Sequence, residues 1–258
     1  MPTPSASPSA SFRARLKAGE SLLGSIVTLP LAGVAEIVAD AGFDWLWIDM
    51  EHGPLDLLTV EAMLRARGRA AGIVRAPAND PVWIKRILDT GADGVILPHV
   101  NSATEARAAV EAAYYPPRGK RSFGVSRAHG YGPRMNDYLH SSGDETTVIV
   151  QVEHARAVAA IDEILSTDGV DAAVIGPFDL SGSLGHIGEI THPEVIAAIE
   201  TVARAGRAQG VPVGIFAGNA DLARDYLARG FSPVAVGVDS MLLAAAAGAL
   251  RQSLADRG

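Results

Sequence analysis

Residues 45–53 read Trp45-Leu46-Trp47-Ile48-Asp49-Met50-Glu51-His52-Gly53: four apolar residues, then two acids, a histidine and a glycine within five positions. An apolar run of this length, closed by turn residues, is the pattern of a strand buried on both faces. Its chemistry is concentrated at the C-terminal end. The same plan recurs along the chain, and we read strands at Leu23 to Thr28, Trp45 to Asp49, Gly72 to Arg75, Gly94 to Leu97, Thr147 to Gln151, Ala172 to Ile175, Pro212 to Ile215 and Pro233 to Val236. Between them, helical spacing predicts Val34 to Ala41, Leu58 to Arg67, Pro81 to Thr90, Ala103 to Ala113, Ala155 to Leu165, Pro193 to Gln209, Ala220 to Ala228 and Met241 to Leu254. Asp80 before Pro81 supplies an N-cap, and Gly42, Gly68, Gly91, Gly210 and Gly230 stand where helices should stop. Eight strand–helix pairs in 258 residues is the size of a single-domain (β/α)8 TIM barrel. No GxGxxG follows the first strand, which removes the main support for a dinucleotide site.

Composition narrows the class. With 48% hydrophobic residues and no cysteine, the chain fills one large core without disulfides, and a reducing cytoplasm is the expected compartment. A net charge of -7 and a pI near 5.5 argue against nucleic acid as partner. No apolar run is long enough to span a bilayer. Residues 1–11, rich in Ser, Pro and Ala, read as a disordered tail ahead of a barrel domain over 12–258. The connection from Pro116 to about residue 146 is unusually long, and its Arg118, Lys120, Arg121 and Arg127 suit either a mobile excursion or a cover over the barrel mouth or a neighbouring subunit.

In this fold, function gathers where strands end. The second strand delivers Asp49 and His52, the third Arg75, the fifth Gln151 and Glu153, and the sixth the turn Gly176-Pro177-Phe178-Asp179. Taken alone, Glu153 reads as the partner of a nearby arginine and Asp179 as the cap of a turn into Leu180-Ser181. After adjacent strands, the two carboxylates invite a divalent cation such as Mg2+, Mn2+ or Co2+. His52 is the acid/base candidate, because imidazole as a side-chain type exchanges protons near neutral pH, with Asp49 three residues earlier to orient it. His99 and His154 are ambiguous; His129, His140, His186 and His192 read as solvated structural residues. Arg75 is either a buried salt-bridge partner or a stabiliser of substrate oxygen charge. The three lysines, Lys17, Lys85 and Lys120, end no strand, which disfavours a Schiff base and leaves the electrophile to a metal.

These residues resemble the HpcH/HpaI family, the class II pyruvate-dependent aldolases of the 4-hydroxy-2-oxoheptane-dioate type, from Leu22 to the C-terminus. The resemblance rests on Gly42-Phe43-Asp44-Trp45 leading to Ile48-Asp49-Met50-Glu51-His52, and on Val74-Arg75 with Asn79-Asp80-Pro81 and Asp89-Thr90-Gly91. It continues through Tyr115-Pro116-Pro117-Arg118-Gly119, Val150-Gln151-Val152-Glu153, Gly176-Pro177-Phe178-Asp179-Leu180-Ser181 and Val236-Gly237-Val238-Asp239. It implies metal ligands at Glu153 and Asp179, an acid/base dyad of His52 with Asp49, and Arg75 on the keto and enolate oxygen. Gln151 would support the water or substrate at the ion. The backbone amides of Phe178 and Asp179 would take the pyruvyl carboxylate, and Phe216 would line the aldehyde side. A hexamer, a trimer of dimers with exchanged C-terminal helices, is also implied. Met50, His99, the run Arg121-Ser122-Phe123-Gly124 and Ile26 depart from the family pattern, His99 standing where Met is common.

The resulting expectation is a carbon–carbon lyase that cleaves or forms 4-hydroxy-2-oxo acids through a pyruvate enolate, with a keto acid and an aldehyde as partners. The alternatives are an oxaloacetate-type decarboxylase on the same site and a non-catalytic keto-acid-binding barrel. A phosphate-handling isomerase is a weaker fit, because the glycines around Gly218 and Gly237 make a poor phosphate loop.

Overall fold

The structure, a computed structural model, describes residues 10–255. Eight parallel strands close a barrel in chain order: β1 (Leu23–Val27), β2 (Trp45–Asp49), β3 (Ala71–Arg75), β4 (Gly94–Leu97), β5 (Thr147–Val152), β6 (Ala172–Ile175), β7 (Val213–Ala217) and β8 (Val234–Val238), with β8 pairing back onto β1. Each expected strand is present, displaced by at most two residues at an end.

The helices are α1 (Phe12–Lys17), α2 (Ala32–Asp40), α3 (Leu57–Ala66), α4 (Pro81–Asp89), α5 (Ala103–Ala113), α6 (Met135–Glu145), α7 (Ala155–Ala159), α8 (Ile161–Leu165), α9 (Pro177–Ser183), α10 (Pro193–Gln209), α11 (Ala220–Ala228) and α12 (Asp239–Ala255). The helix expected over Ala155 to Leu165 is two, parted at Ala160, whose backbone leaves helical geometry at φ -102 and ψ 14. Of the expected tail, residues 1–9 lie outside the described residues, while Ser11 caps α1 by accepting from Ala14 N–H at 3.2 Å.

Strand periodicity divides the core into two layers. Trp45 and Trp47 point into the lumen with Ile73, Ile96, Ile149, Ala172 and Val174, whereas Leu46, Ile48, Val74, Val148, Val150 and Ile175 pack outward against the helices. Phe12 and Leu16 of α1 join the lumen cluster and plug its N-terminal end, Phe12 lying 5.8 Å from Trp45, which in turn stacks on Trp47 at 6.0 Å. Gly24 makes room for this stack, since a Cβ there would sit 2.5 Å from the Trp45 indole.

The N-terminal end is fastened by a device repeated at β2, β4 and β6. Asp44, Asp93 and Asp171 each donate a backbone N–H to the carbonyl of Leu23, Gly72 and Val148 on the preceding strand. The same residue's N–H on that strand returns a bond to the aspartate carboxylate, at 3.0, 2.7 and 3.0 Å. Each carboxylate also has an arginine: Arg15 at 2.7 Å, Arg67 at 2.9 Å and Arg13 at 2.7 Å. Before β8, Ser232 keeps the backbone bond to Val213 but turns its hydroxyl to β1, accepting from Leu22 N–H and donating to Glu20 O.

The long connection lies at this same end. Arg118 donates to Gly143 O, Lys120 pairs with Glu111, Arg121 with Asp89, and Arg127 donates to Thr90 O. These contacts run to α6 and to the C-terminal ends of α4 and α5, so the four basic residues do not lean over the barrel mouth. The reason is topological: the segment joins a helix to the next strand, and such connections fall on the face opposite the strand ends. His129, expected to be solvated, is instead fully buried there, stacked on Phe123 at 5.3 Å, with Nδ1 accepting from Gly132 N–H at 3.1 Å and Nε2 donating to Gly124 O at 2.8 Å.

Candidate active site

The strand alternation that sends Trp45 and Trp47 inward carries on to Asp49, and likewise Ile73 leads to Arg75 and Ile149 to Gln151 and Glu153. Four polar side chains therefore form the uppermost layer of the lumen, all buried. Arg75 sits 5.0 Å above the Trp47 ring and is gripped at two points by Asp49: Nε donates to Oδ1 at 2.9 Å and Nη2 to Oδ2 at 2.6 Å. Its remaining nitrogen, Nη1, reaches Gln151 Oε1 at 3.3 Å and Glu51 Oε2 at 3.0 Å. Gln151 in turn donates Nε2 to Glu153 Oε2. The layer is a continuous chain of charge-assisted bonds, which fixes every side chain in it.

Asp49 does not touch the His52 imidazole. Its Oδ1 accepts the backbone N–H groups of Glu51 and His52, at 3.0 and 3.3 Å, and so holds the turn that presents the ring. The His52 ring itself is 64% exposed at the mouth, with Nε2 3.7 Å from Glu51 Oε2. Asp179 and Phe178 stand exposed in the first turn of α9. Gly176, the residue before that helix, lies against the carboxylate: a Cβ on it would sit 3.4 Å from Glu153 Cβ and 3.5 Å from Gln151 Nε2. Pro177 is buried at the first helical position. Phe216, in β7, packs on the lumen cluster from a half-buried position. His154 caps α7, accepting from Arg156 N–H at 3.0 Å, and takes no part in the mouth.

Two residues of the mouth have no role assigned by the sequence reading, Glu51 being read only within its motif and His99 staying ambiguous. Glu51 follows Asp49 by two positions, so the strand period alone places both on one side of the chain. His99 follows β4 with φ 57 and bridges two carboxylates: its Nδ1 is 3.1 Å from Glu153 Oε1 and its Nε2 3.3 Å from Glu51 Oε1. Its backbone N–H also donates to Glu153 Oε1 at 2.7 Å. The potential ligand atoms of Glu51, His99 and Glu153 all lie within 4.8 Å of one another. Burial pushes the Glu51 carboxyl above the ordinary carboxylate range; Arg75 opposes this and the neighbouring Glu153 adds to it. A site with three carboxylates and one guanidinium in it is short of positive charge, and its donors suit a divalent cation.

Carboxylates gather around one arginine at the strand ends, while the three lysines lie in α1, α4 and the long connection, so no lysine stands at a strand end to offer a covalent amine. The chain belongs to the HpcH/HpaI aldolase/citrate lyase family, whose model matches residues 27–246. It is 45% identical over 243 residues to a 4-hydroxy-2-oxo-heptane-1,7-dioate aldolase from Klebsiella pneumoniae, covering 93% of this chain and 91% of that one. Among solved structures it resembles an HpcH/HpaI aldolase/citrate lyase family protein from Burkholderia cenocepacia, with 40% identity, a TM-score of 0.89, and 93% of this chain and 98% of that one covered. An HpcH/HpaI aldolase from Desulfitobacterium hafniense matches with 32% identity and a TM-score of 0.89, over 95% and 97% of the two chains.

Proposed function

We propose that this chain cleaves, and in reverse forms, 4-hydroxy-2-oxo acids, giving pyruvate and an aldehyde with the help of a divalent ion held by Glu153 and Asp179. The observation that carries this reading is the buried Asp49–Arg75–Gln151–Glu153 chain, a fixed row of donors and acceptors at the one end of the lumen open to substrate. When bound, the ion supplies Lewis acidity toward the carboxylate and keto oxygens of the substrate. Mg2+, Mn2+ and Co2+ all suit the oxygen donors.

Arg75, held rigid by Asp49, stabilises the negative charge that develops on the keto oxygen as the bond breaks. Gln151 keeps Glu153 in place through its amide. The amides of Phe178 and Asp179, in a first helical turn where backbone N–H groups lack intrahelical acceptors, receive the substrate carboxylate above Gly176 and Pro177. His52, exposed at the mouth, takes the proton of the C4 hydroxyl; the C3–C4 bond then breaks, its electron pair stays on C3 as the pyruvate enolate, and the aldehyde leaves. Protonation at C3 completes pyruvate. Phe216 and the departures near the rim shape the aldehyde side.

The same reading makes the protein a homo-oligomer, a hexamer of exchanged C-terminal helices. In α12, Met241, Leu242, Leu243, Leu250 and Leu254 are between 48% and 66% exposed, an apolar surface that a second copy would cover. No helix among the described residues is long and apolar enough to cross a membrane.

The test is pyruvate release from a 4-hydroxy-2-oxo acid by protein stripped with a chelator and resupplied with Mg2+ or Mn2+. Activity should vanish and return. Activity that persists in chelator would exclude the metal role of Glu153 and Asp179; pyruvate formed from oxaloacetate but from no hydroxy-oxo acid would make the protein a decarboxylase.

A further inference from the structure

We propose that His99 is a third protein ligand of the divalent ion and tilts this site toward borderline ions such as Co2+ and Zn2+ at the expense of Mg2+. The inference rests on the reading of Glu153 as a ligand and adds to it a nitrogen donor.

Geometry comes first. Ligand atoms about 2.1 Å from a common ion stand roughly 3.0 Å apart at a right angle and roughly 3.4 Å apart at a tetrahedral angle. His99 Nδ1 and Glu153 Oε1 are 3.1 Å apart, within that window. An imidazole ligates through one nitrogen, and in metal sites the other N–H commonly goes to a carboxylate that orients the ring. Nε2 of His99 faces such a group: Glu51 Oε1 lies at 3.3 Å, and Glu51 is anchored from behind by Arg75 Nη1 at 3.0 Å. The set therefore has the order of a ligand, its orienting carboxylate and a cation behind it. This also gives the buried Glu51 carboxylate a purpose that the aldol chemistry leaves unassigned.

Backbone placement points the same way. With φ at 57, His99 turns across the mouth after Pro98, and its own N–H holds the Glu153 oxygen that its ring faces, at 2.7 Å. Asn101 Nδ2 donates to His99 O at 2.9 Å and fixes the turn. The ring is nevertheless 68% exposed, so it is reachable by an ion arriving from solvent and fills no core space whose loss would unfold the barrel. An imidazole nitrogen added to carboxylate oxygens favours Co2+ or Zn2+, whereas Mg2+ prefers oxygen and water.

The experiment compares the full chain with His99→Met, His99→Gln and Glu153→Gln, each checked for an unchanged thermal transition, by calorimetric titration with Co2+ and with Mg2+. Pulsed EPR of the Mn2+-loaded proteins reads a directly bound nitrogen. The expected result is a nitrogen coupling in the unaltered protein that both His99 variants lose, with Co2+ affinity falling about tenfold or more and Mg2+ affinity falling less. Co2+ and Mg2+ affinities that shift together, or a coupling that survives in His99→Met, would overturn the role of His99 while leaving Glu153 as a ligand. Unchanged binding of both ions to Glu153→Gln would instead remove the metal reading itself, and the His99 inference with it.

Discussion

The two ends of this barrel use the same residue types in opposite ways. At the N-terminal end, Asp44, Asp93 and Asp171 each have a backbone clasp and an arginine at 2.7 to 2.9 Å, so charge and hydrogen bonds are matched locally. At the C-terminal end, Asp49 and Glu51 share the single guanidinium of Arg75, Glu153 is linked to it only through the Gln151 amide, and the exposed imidazoles of His52 and His99 stand beside Glu51 and Glu153. A carboxylate desolvated without a full partner costs stability; burial raises the proton affinity of Glu51 here, as it does that of Asp93 at the other end, where Arg67 and the Gly72 N–H oppose it. The matched end holds the barrel together. The mismatched end, on the proposed reading, is where a divalent ion and the substrate anion would bind.

The largest expected effect lies at the matched end. Asp171→Ala leaves Arg13 buried without its 2.7 Å partner and opens the clasp on Val148. Removing one member of a buried pair costs about 3 to 5 kcal/mol, so denaturant unfolding should shift by that much while turnover per folded molecule stays unchanged. A variant that kept its stability and lost turnover would dissolve the division of labour between the two ends.

Next in size is Arg75→Lys at the mismatched end. Lysine keeps the positive charge among Asp49, Glu51 and Glu153 but cannot reproduce the two-point grip on Asp49. Stability should therefore change little, while kcat for pyruvate formation falls on the order of 100-fold, the usual loss when a fixed donor to a developing oxyanion is removed. Unchanged kcat in Arg75→Lys would show that Arg75 only balances charge, as the arginines at the other end do.

This contrast also explains what the sequence disclosed. The eight strands were legible because each is a short apolar run with a polar stop, and Asp49, Arg75, Gln151 and Glu153 were legible because strand ends and period-two alternation place them on one layer. Glu51 obeys the same alternation and was readable in principle. His99 was not, because its reach to Glu153 depends on a backbone at φ 57 that no residue type announces. Helix α6 carries Met135-Asn136-Asp137-Tyr138-Leu139-His140-Ser141-Ser142-Gly143 with almost no apolar stripe, so it offered no periodic signal; Arg13 and Arg118 hold it by donating to Gly143 O. The clasps at the matched end were present as a repeat, Gly42-Phe43-Asp44, Gly91-Ala92-Asp93 and Gly169-Val170-Asp171, but such glycines read simply as helix stops.

The smallest effect tests that repeat at its irregular member. Gly230-Phe231-Ser232 has the same spacing before β8, and Gly230 has φ 83, close to the 82 to 95 of Gly42, Gly91 and Gly169. Serine is one atom too short to close the return bond, and it spans instead from Leu22 N–H at 3.2 Å to Glu20 O at 2.7 Å, tying β8 to the entrance of β1. It carries no charge and has no arginine. Ser232→Ala should then cost only what one or two partly solvated neutral hydrogen bonds contribute, about 1 kcal/mol, measured by the same denaturant unfolding as Asp171→Ala. Equal losses in the two variants would mean that the backbone geometry set by the glycines, rather than the aspartate–arginine pairs, supplies the strength of the closed end; a clear excess for Asp171→Ala assigns that strength to the ion pairs.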